Sequence, residues 1–210
     1  MKRILCYGDS NTWGNIPISG MRYGEDIRWP GVLAALLGSN YRIIEEGLNG
    51  RTTVFDDPLQ EGRNGKTYLL PCLLSHRPLD VVILMLGTND MKQRYSLPAG
   101  DISRGAGVLA QIILNSGAGP DNTAPQLILF SPPGLGSLKA FGPMFAGAIE
   151  KSRDLGAAFK VVAQETGCSF VDIGAEVSAG NGDGIHLEPE GHRRVAELAA
   201  EAIGDSILRC

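Results

Sequence analysis

The chain is predicted to be an α/β protein, a three-layer α/β/α sandwich on a five-stranded parallel sheet. Three observations predict this. Short apolar runs alternate strictly with helix-length segments along the 210 residues. The strongest run, Asp80–Leu86 (DVVILML), is apolar without polar alternation, as a strand buried on both faces must be. A helix stands in each connection, so successive strands are joined by right-handed crossovers that cover both faces of the sheet.

The elements follow in order. Arg3–Tyr7 is a short apolar strand that ends in a Gly-Asp-Ser turn. Trp29–Leu37 places Val32, Leu33, Leu36 and Leu37 at helical spacing before Gly38, a helix stop. Tyr41–Glu45 is the second strand, Thr67–Ser75 a helix despite Pro71, and Asp80–Leu86 the third strand. A helix over Ile102–Leu114, a strand over Gln126–Phe130, a long helix over Pro143–Glu165, a strand over Ser169–Asp172 and a last helix over Pro189–Leu208 complete the series.

Composition narrows the function classes. A 43% hydrophobic content suits a folded globular chain, and residues 1–210 are expected to form one domain. No run reaches the roughly 20 apolar residues of a membrane-spanning helix, and the run Ile4–Tyr7 is too short for an export signal. Nineteen basic against 23 acidic residues give a net charge of −4, and the one compact basic cluster, His192-Arg193-Arg194, lies within the last helix. Nucleic acid is therefore not an expected partner. Cys6, Cys72, Cys168 and Cys210 are scattered with no CxxC pair, so no metal site and no cofactor are expected, and the chain suits a reducing cytoplasm.

In a parallel sheet ligands bind beyond the carboxyl ends of the strands. Gly8-Asp9-Ser10-Asn11 places a serine on a tight turn there; alone, such a serine is as readily a helix cap. A hydroxyl needs a positioned base to become a nucleophile. Of three histidines, His76 ends a helix on the opposite side and His192 lies inside the last helix as a surface or packing residue. His186 stands in the glycine-rich loop Asn181–His186 at the carboxyl edge, three residues after Asp183, where a turn through Gly184 can join carboxylate to imidazole. Asp172 and Asp90 are alternative acids, whereas Asp9 more naturally braces the serine turn. Two further loops offer donors to a developing oxyanion, the Gly50 N–H of Gly47-Leu48-Asn49-Gly50 and the Asn89 amide of Gly87-Thr88-Asn89-Asp90.

The segments GDSNTWG, GLNG, GTND and DGIH, in this order, resemble the four sequence blocks of the SGNH (GDSL) hydrolases, and the match spans nearly the whole chain. The resemblance implies a flavodoxin-like sheet, Ser10 as nucleophile, Asp183 and His186 as its partners, and the Ser10 N–H beside Gly50 and Asn89 as oxyanion donors. KRILCYGDSNTWG, IIEEGLNGRTT, DVVILMLGTND, Ser131-Pro132-Pro133 and DGIH are similar to the bacterial arylesterase and acyltransferase branch, which implies small aryl and alkyl esters as substrates and acyl transfer to alcohols or peroxide. Asn11 stands where the GDSL pattern has leucine, a change expected to alter packing rather than mechanism.

Asn11, Trp13, Pro132 and Pro133 are the residues expected to line the substrate pocket. A carbohydrate acetylesterase or a lysophospholipase-like thioesterase would use the same site residues, and a non-catalytic small-ligand module on the same scaffold is the reading from another class. The apolar stretch Pro132–Met144 is long enough for a lid or a subunit contact, so a homo-oligomer is compatible with the sequence.

Overall fold

The computed structural model describes residues 1–207. Strands β1 (Lys2–Gly8), β2 (Tyr41–Gly47), β3 (Val81–Met85), β4 (Gln126–Phe130) and β5 (Ser169–Val171) form one parallel sheet in the order β2-β1-β3-β4-β5. This is the flavodoxin-like doubly wound order, and its ligand crevice lies where the chain switches direction, at the carboxyl end of β1. Helices α1 (Ser10–Trp13), α2 (Trp29–Leu37), α3 (Gly65–His76), α4 (Ala99–Leu114), α5 (Ala148–Thr166), α6 (Ile173–Glu176) and α7 (Pro189–Ile207) fill the connections.

The unbroken apolar runs are explained by two cores, one on each face. Leu5 and Tyr7 of β1, Val82 and Leu84 of β3 and Leu129 of β4 pack with Leu73 of α3, Leu109 of α4 and Phe159 of α5. The alternate residues Ile4, Cys6, Ile83, Ile128 and Phe130 pack with Trp29 and Leu33 of α2 and with Val195 and Ile203 of α7. At roughly 1.5–3 kcal/mol for each large apolar side chain buried, these layers hold the strand ends rigidly. Register does the rest: Gly8 pairs with Gly47 on one side and with Met85 on the other, so the loops leaving β1, β2 and β3 start at one level.

Several boundaries differ from expectation. The long helix starts at Ala148, not Pro143, because Gly147 caps it at φ +73° and the chain before it turns more tightly over Lys139–Phe141. Helix α3 begins two residues early, where the Asn64 side chain accepts the Lys66 N–H. The last strand stops at Val171, and Asp172 precedes the unexpected short helix α6. Leu208 and Cys210 lie outside the described residues.

Candidate active site

The serine turn is compressed against the sheet, which dictates its glycines. A β-carbon on Gly8 would stand 2.0 Å from the Thr12 hydroxyl, and one on Gly47 would stand 2.2 Å from the Trp13 nitrogen. Gly14, at φ +89°, closes the turn and donates its N–H to the Ser10 carbonyl. Asp9 caps α1 by accepting the Asn11 N–H at 2.9 Å. Burial raises its carboxyl above the ordinary range, against the pull of that bond, the Thr88 side chain and the charges of His186 and Arg51.

Ser10 Oγ lies 3.0 Å from His186 Nε2, and His186 Nδ1 lies 2.7 Å from Asp183 Oδ2. The second carboxylate oxygen of Asp183 accepts the N–H groups of Ile185 and His186, each at 2.9 Å. Oδ2 also accepts from Ile18 at 3.4 Å. Burial alone would raise the Asp183 carboxyl, but the imidazole and backbone bonds outweigh it and hold the group well below the usual carboxylate range. Gly184 permits the turn: it sits at φ +77°, and a β-carbon there would meet the Ser137 carbonyl at 2.3 Å. The other two aspartates are occupied elsewhere. Asp172 accepts from the Ser131 hydroxyl at 2.8 Å, and Asp90 accepts from the backbone and hydroxyl of Thr53. Burial pushes the Asp90 carboxyl up to about 6 despite the Thr53 bonds.

Gly50 and Asn89 stand in the loops that leave β2 and β3 at the same sheet edge as the Ser10 turn. Among the described residues neither the Ser10 N–H nor the Gly50 N–H meets a backbone acceptor. Gly50 adopts φ +78°, where a side chain would be strained. One N–H of the Asn89 amide donates to the Arg51 carbonyl at 3.1 Å, which fixes its orientation and leaves the other for a ligand.

Two further residues organise the site. Buried Arg51 donates to the carbonyls of Gly8, at 2.8 Å, and of Glu46, and its guanidinium lies 4.1 Å from the Tyr7 ring centre. With its carbonyl on Asn89, Arg51 ties the ends of β1, β2 and β3 together. The sequence signal for it was slight: an arginine directly after Gly50, in a loop between apolar strands. Asn11 is a correction. Expected in the substrate pocket, it is 1% exposed, and its carboxamide is spent on the backbone of the His186 loop.

The remaining expected pocket residues are placed as follows. Trp13 is half-buried at the end of α1, with the Arg22 guanidinium 5.2 Å from its ring centre. Pro132 and Pro133 are buried, and a β-carbon on Gly87 would stand 3.0 Å from the Pro132 ring, so Pro132 supports the Asn89 loop. The stretch 132–144 runs along the histidine loop, with Gly136 N–H donating to the Gly184 carbonyl and Leu135 and Leu138 buried.

The other histidines lie apart from this chemistry. His192 is buried in α7, where its Nδ1 accepts the Trp29 N–H at 3.3 Å and burial lowers its imidazole to about 4, helped by the charge of His186. His76 ends α3 and meets Glu46 at 2.8 Å. No metal site was expected for want of a CxxC pair, yet Cys72 and His76 are one helical turn apart on α3. Among the described residues no helix is long and apolar enough to cross a membrane.

The sequence matches the GDSL-like lipase/acylhydrolase family over residues 6–194. Among solved structures, the inhibitor-bound aryl esterase of M. smegmatis is 38% identical with a TM-score of 0.94, over 98% of this chain and 99% of that one. The native form of that enzyme is 39% identical with a TM-score of 0.93, over the same shares. A carbohydrate acetylesterase from Sinorhizobium meliloti is 39% identical with a TM-score of 0.94, again over 98% and 99%. No curated protein matches the chain.

Proposed function

The chain belongs to the GDSL-like lipase/acylhydrolase family and is a carboxylic ester hydrolase, and from that premise we propose that it cleaves small aryl and alkyl esters through an acyl-enzyme on Ser10. The observation that carries this reading is the unbroken chain from Ser10 Oγ to His186 to Asp183, at the sheet edge where the Gly50 and Asn89 loops also leave their strands. His186 Nε2 takes the hydroxyl proton as Oγ bonds to the ester carbonyl carbon, and Asp183 stabilises the imidazolium that results. The carbonyl oxygen becomes an oxyanion held by the N–H groups of Ser10 and Gly50 and by Asn89, donors whose individual removal typically costs about 10²–10³ in kcat. His186 then returns the proton to the leaving alcohol as the C–O bond breaks. Water, or an acceptor alcohol or peroxide, releases the acyl group by the same steps in reverse.

Short acyl groups fit this reading, because the Trp13 indole stands next to the nucleophile turn and is held by Arg22. Acetyl esters of carbohydrates are a second reading, favoured by the equally high similarity to the Sinorhizobium meliloti acetylesterase. A substrate panel separates the two. Values of kcat/KM for p-nitrophenyl acetate and butyrate should exceed that for the octanoate, and p-nitrophenyl acetate should exceed a peracetylated monosaccharide. A preference for the octanoate would overturn the short-acyl reading, and a preference for the sugar acetate would establish the second.

A further inference from the structure

Cys72 and His76 stand one turn apart on α3, and Glu46 of β2 reaches across to them. His76 Nε2 lies 2.8 Å from Glu46 Oε1, and the imidazole nitrogen, the thiol sulfur and a carboxylate oxygen all lie within 4.8 Å of one another. Cys72 is fully buried, whereas the side chains of Glu46 and His76 are 19% and 30% exposed. The sulfur thus forms the floor of a small three-donor cluster that opens to solvent on the histidine side.

We propose that Glu46, Cys72 and His76 form a mononuclear site for a divalent transition-metal ion with the ligand preferences of zinc. Thiolate, imidazole and carboxylate are its three protein ligands, and water fills the fourth, solvent-facing position. Zinc takes these three donor types, with bonds of about 2.3 Å to sulfur and about 2.0–2.2 Å to nitrogen and oxygen. Donor atoms around such a centre are roughly 3.3–3.6 Å apart. The cluster therefore needs side-chain movements of only a fraction of an ångström to about one ångström from its hydrogen-bonded arrangement.

The charges also match. Thiolate and carboxylate together balance a divalent cation, and the imidazole binds as a neutral ligand. Without metal the sulfur keeps its proton: burial and the Glu46 carboxylate push the Cys72 thiol up to about 12, while Arg51 pulls the other way. Binding thus forms the metal–sulfur bond and releases that proton to water. Tyr68 and Arg51 also face the cluster, Arg51 from the β2 side with its guanidinium bonded to the Gly8 and Glu46 carbonyls.

Cobalt(II) tests the site directly in the full chain after treatment with a chelator. One equivalent should produce a thiolate-to-cobalt charge-transfer band in the near ultraviolet and the intense visible bands of four-coordinate cobalt. Zinc should bleach both and raise Tm by selective binding to the folded state. Cys72→Ser and His76→Ala, with folding checked by circular dichroism, should each abolish the stoichiometric signal, while Cys168→Ser should retain it. Only a weak spectrum of six-coordinate cobalt, or a thiolate band that persists in Cys72→Ser, would overturn the proposal. None of these readouts depends on esterase turnover.

Discussion

The Asn11 carboxamide brackets His186. Its oxygen accepts the Leu187 N–H at 2.9 Å and its nitrogen donates to the Ile185 carbonyl at 3.2 Å, one residue to either side of the histidine. The residue after the nucleophile thus clips the base's loop to the nucleophile's turn, across more than 170 positions of sequence. Packing alone would not have required an amide.

Asn11→Leu should therefore cost both stability and rate. It strands a buried carbonyl and a buried N–H, at about 1–3 kcal/mol each, and frees the imidazole to drift from Ser10. Tm should fall by several degrees and kcat by about 10-fold or more with KM little changed, since a misplacement of about 1 Å can cost roughly 10²-fold. Thermal denaturation and steady-state kinetics check this; an unaltered kcat would reduce Asn11 to packing.

Asp183 should be the one aspartate whose amide variant removes most of the activity. Asp183→Asn cannot stabilise the imidazolium and favours the wrong tautomer, so kcat should fall by roughly 10³–10⁴-fold. Asp172→Asn and Asp90→Asn should lose far less, because their carboxylates are bonded to Ser131 and Thr53 rather than to His186. Kinetics on the three variants, with folding checked by circular dichroism, decide the matter. A mild Asp183→Asn phenotype would contradict the assignment.

His192 should make the protein acid-sensitive. Its imidazole is lowered to about 4 in the fold, against an ordinary 6.5, so between these values the unfolded chain binds the extra proton. Its contribution is present above pH 6.5 and is lost as pH falls toward 4, about 3 kcal/mol in all. The raised carboxyl of Asp90 acts in the opposite sense over a similar window, so the comparison must hold it constant. Urea unfolding of the wild type and of His192→Gln, which keeps an acceptor for the Trp29 N–H, should show the steeper loss from pH 7 to pH 4 in the wild type. Parallel curves would refute the prediction.

What was legible in the sequence follows from the range of the interactions involved. Strands β1, β3 and β4 announce themselves because burial on both faces leaves no room for polar alternation. Asp183 and His186 are joined through three residues of local turn, so their spacing carries the information. Asn11 and Arg51 act on backbone groups brought near only by the sheet order, and nothing periodic marks them. The Cys72–His76 spacing is visible in the sequence, but Glu46 joins it only through the packing of α3 on β2. The start of α5 was misread because Pro143 and Met144 extend an apolar pattern that the turn at Gly147 interrupts.

The central claim is that Ser10 carries the acyl group, and intact-protein mass spectrometry after an acid quench tests it most directly. Wild-type protein mixed with p-nitrophenyl acetate should gain one acetyl group, mapped to Ser10 by peptide digestion, in step with a burst of p-nitrophenol. Folded Ser10→Ala should show neither the adduct nor the burst and only trace turnover. An adduct on another residue, or substantial turnover by folded Ser10→Ala, would contradict the account.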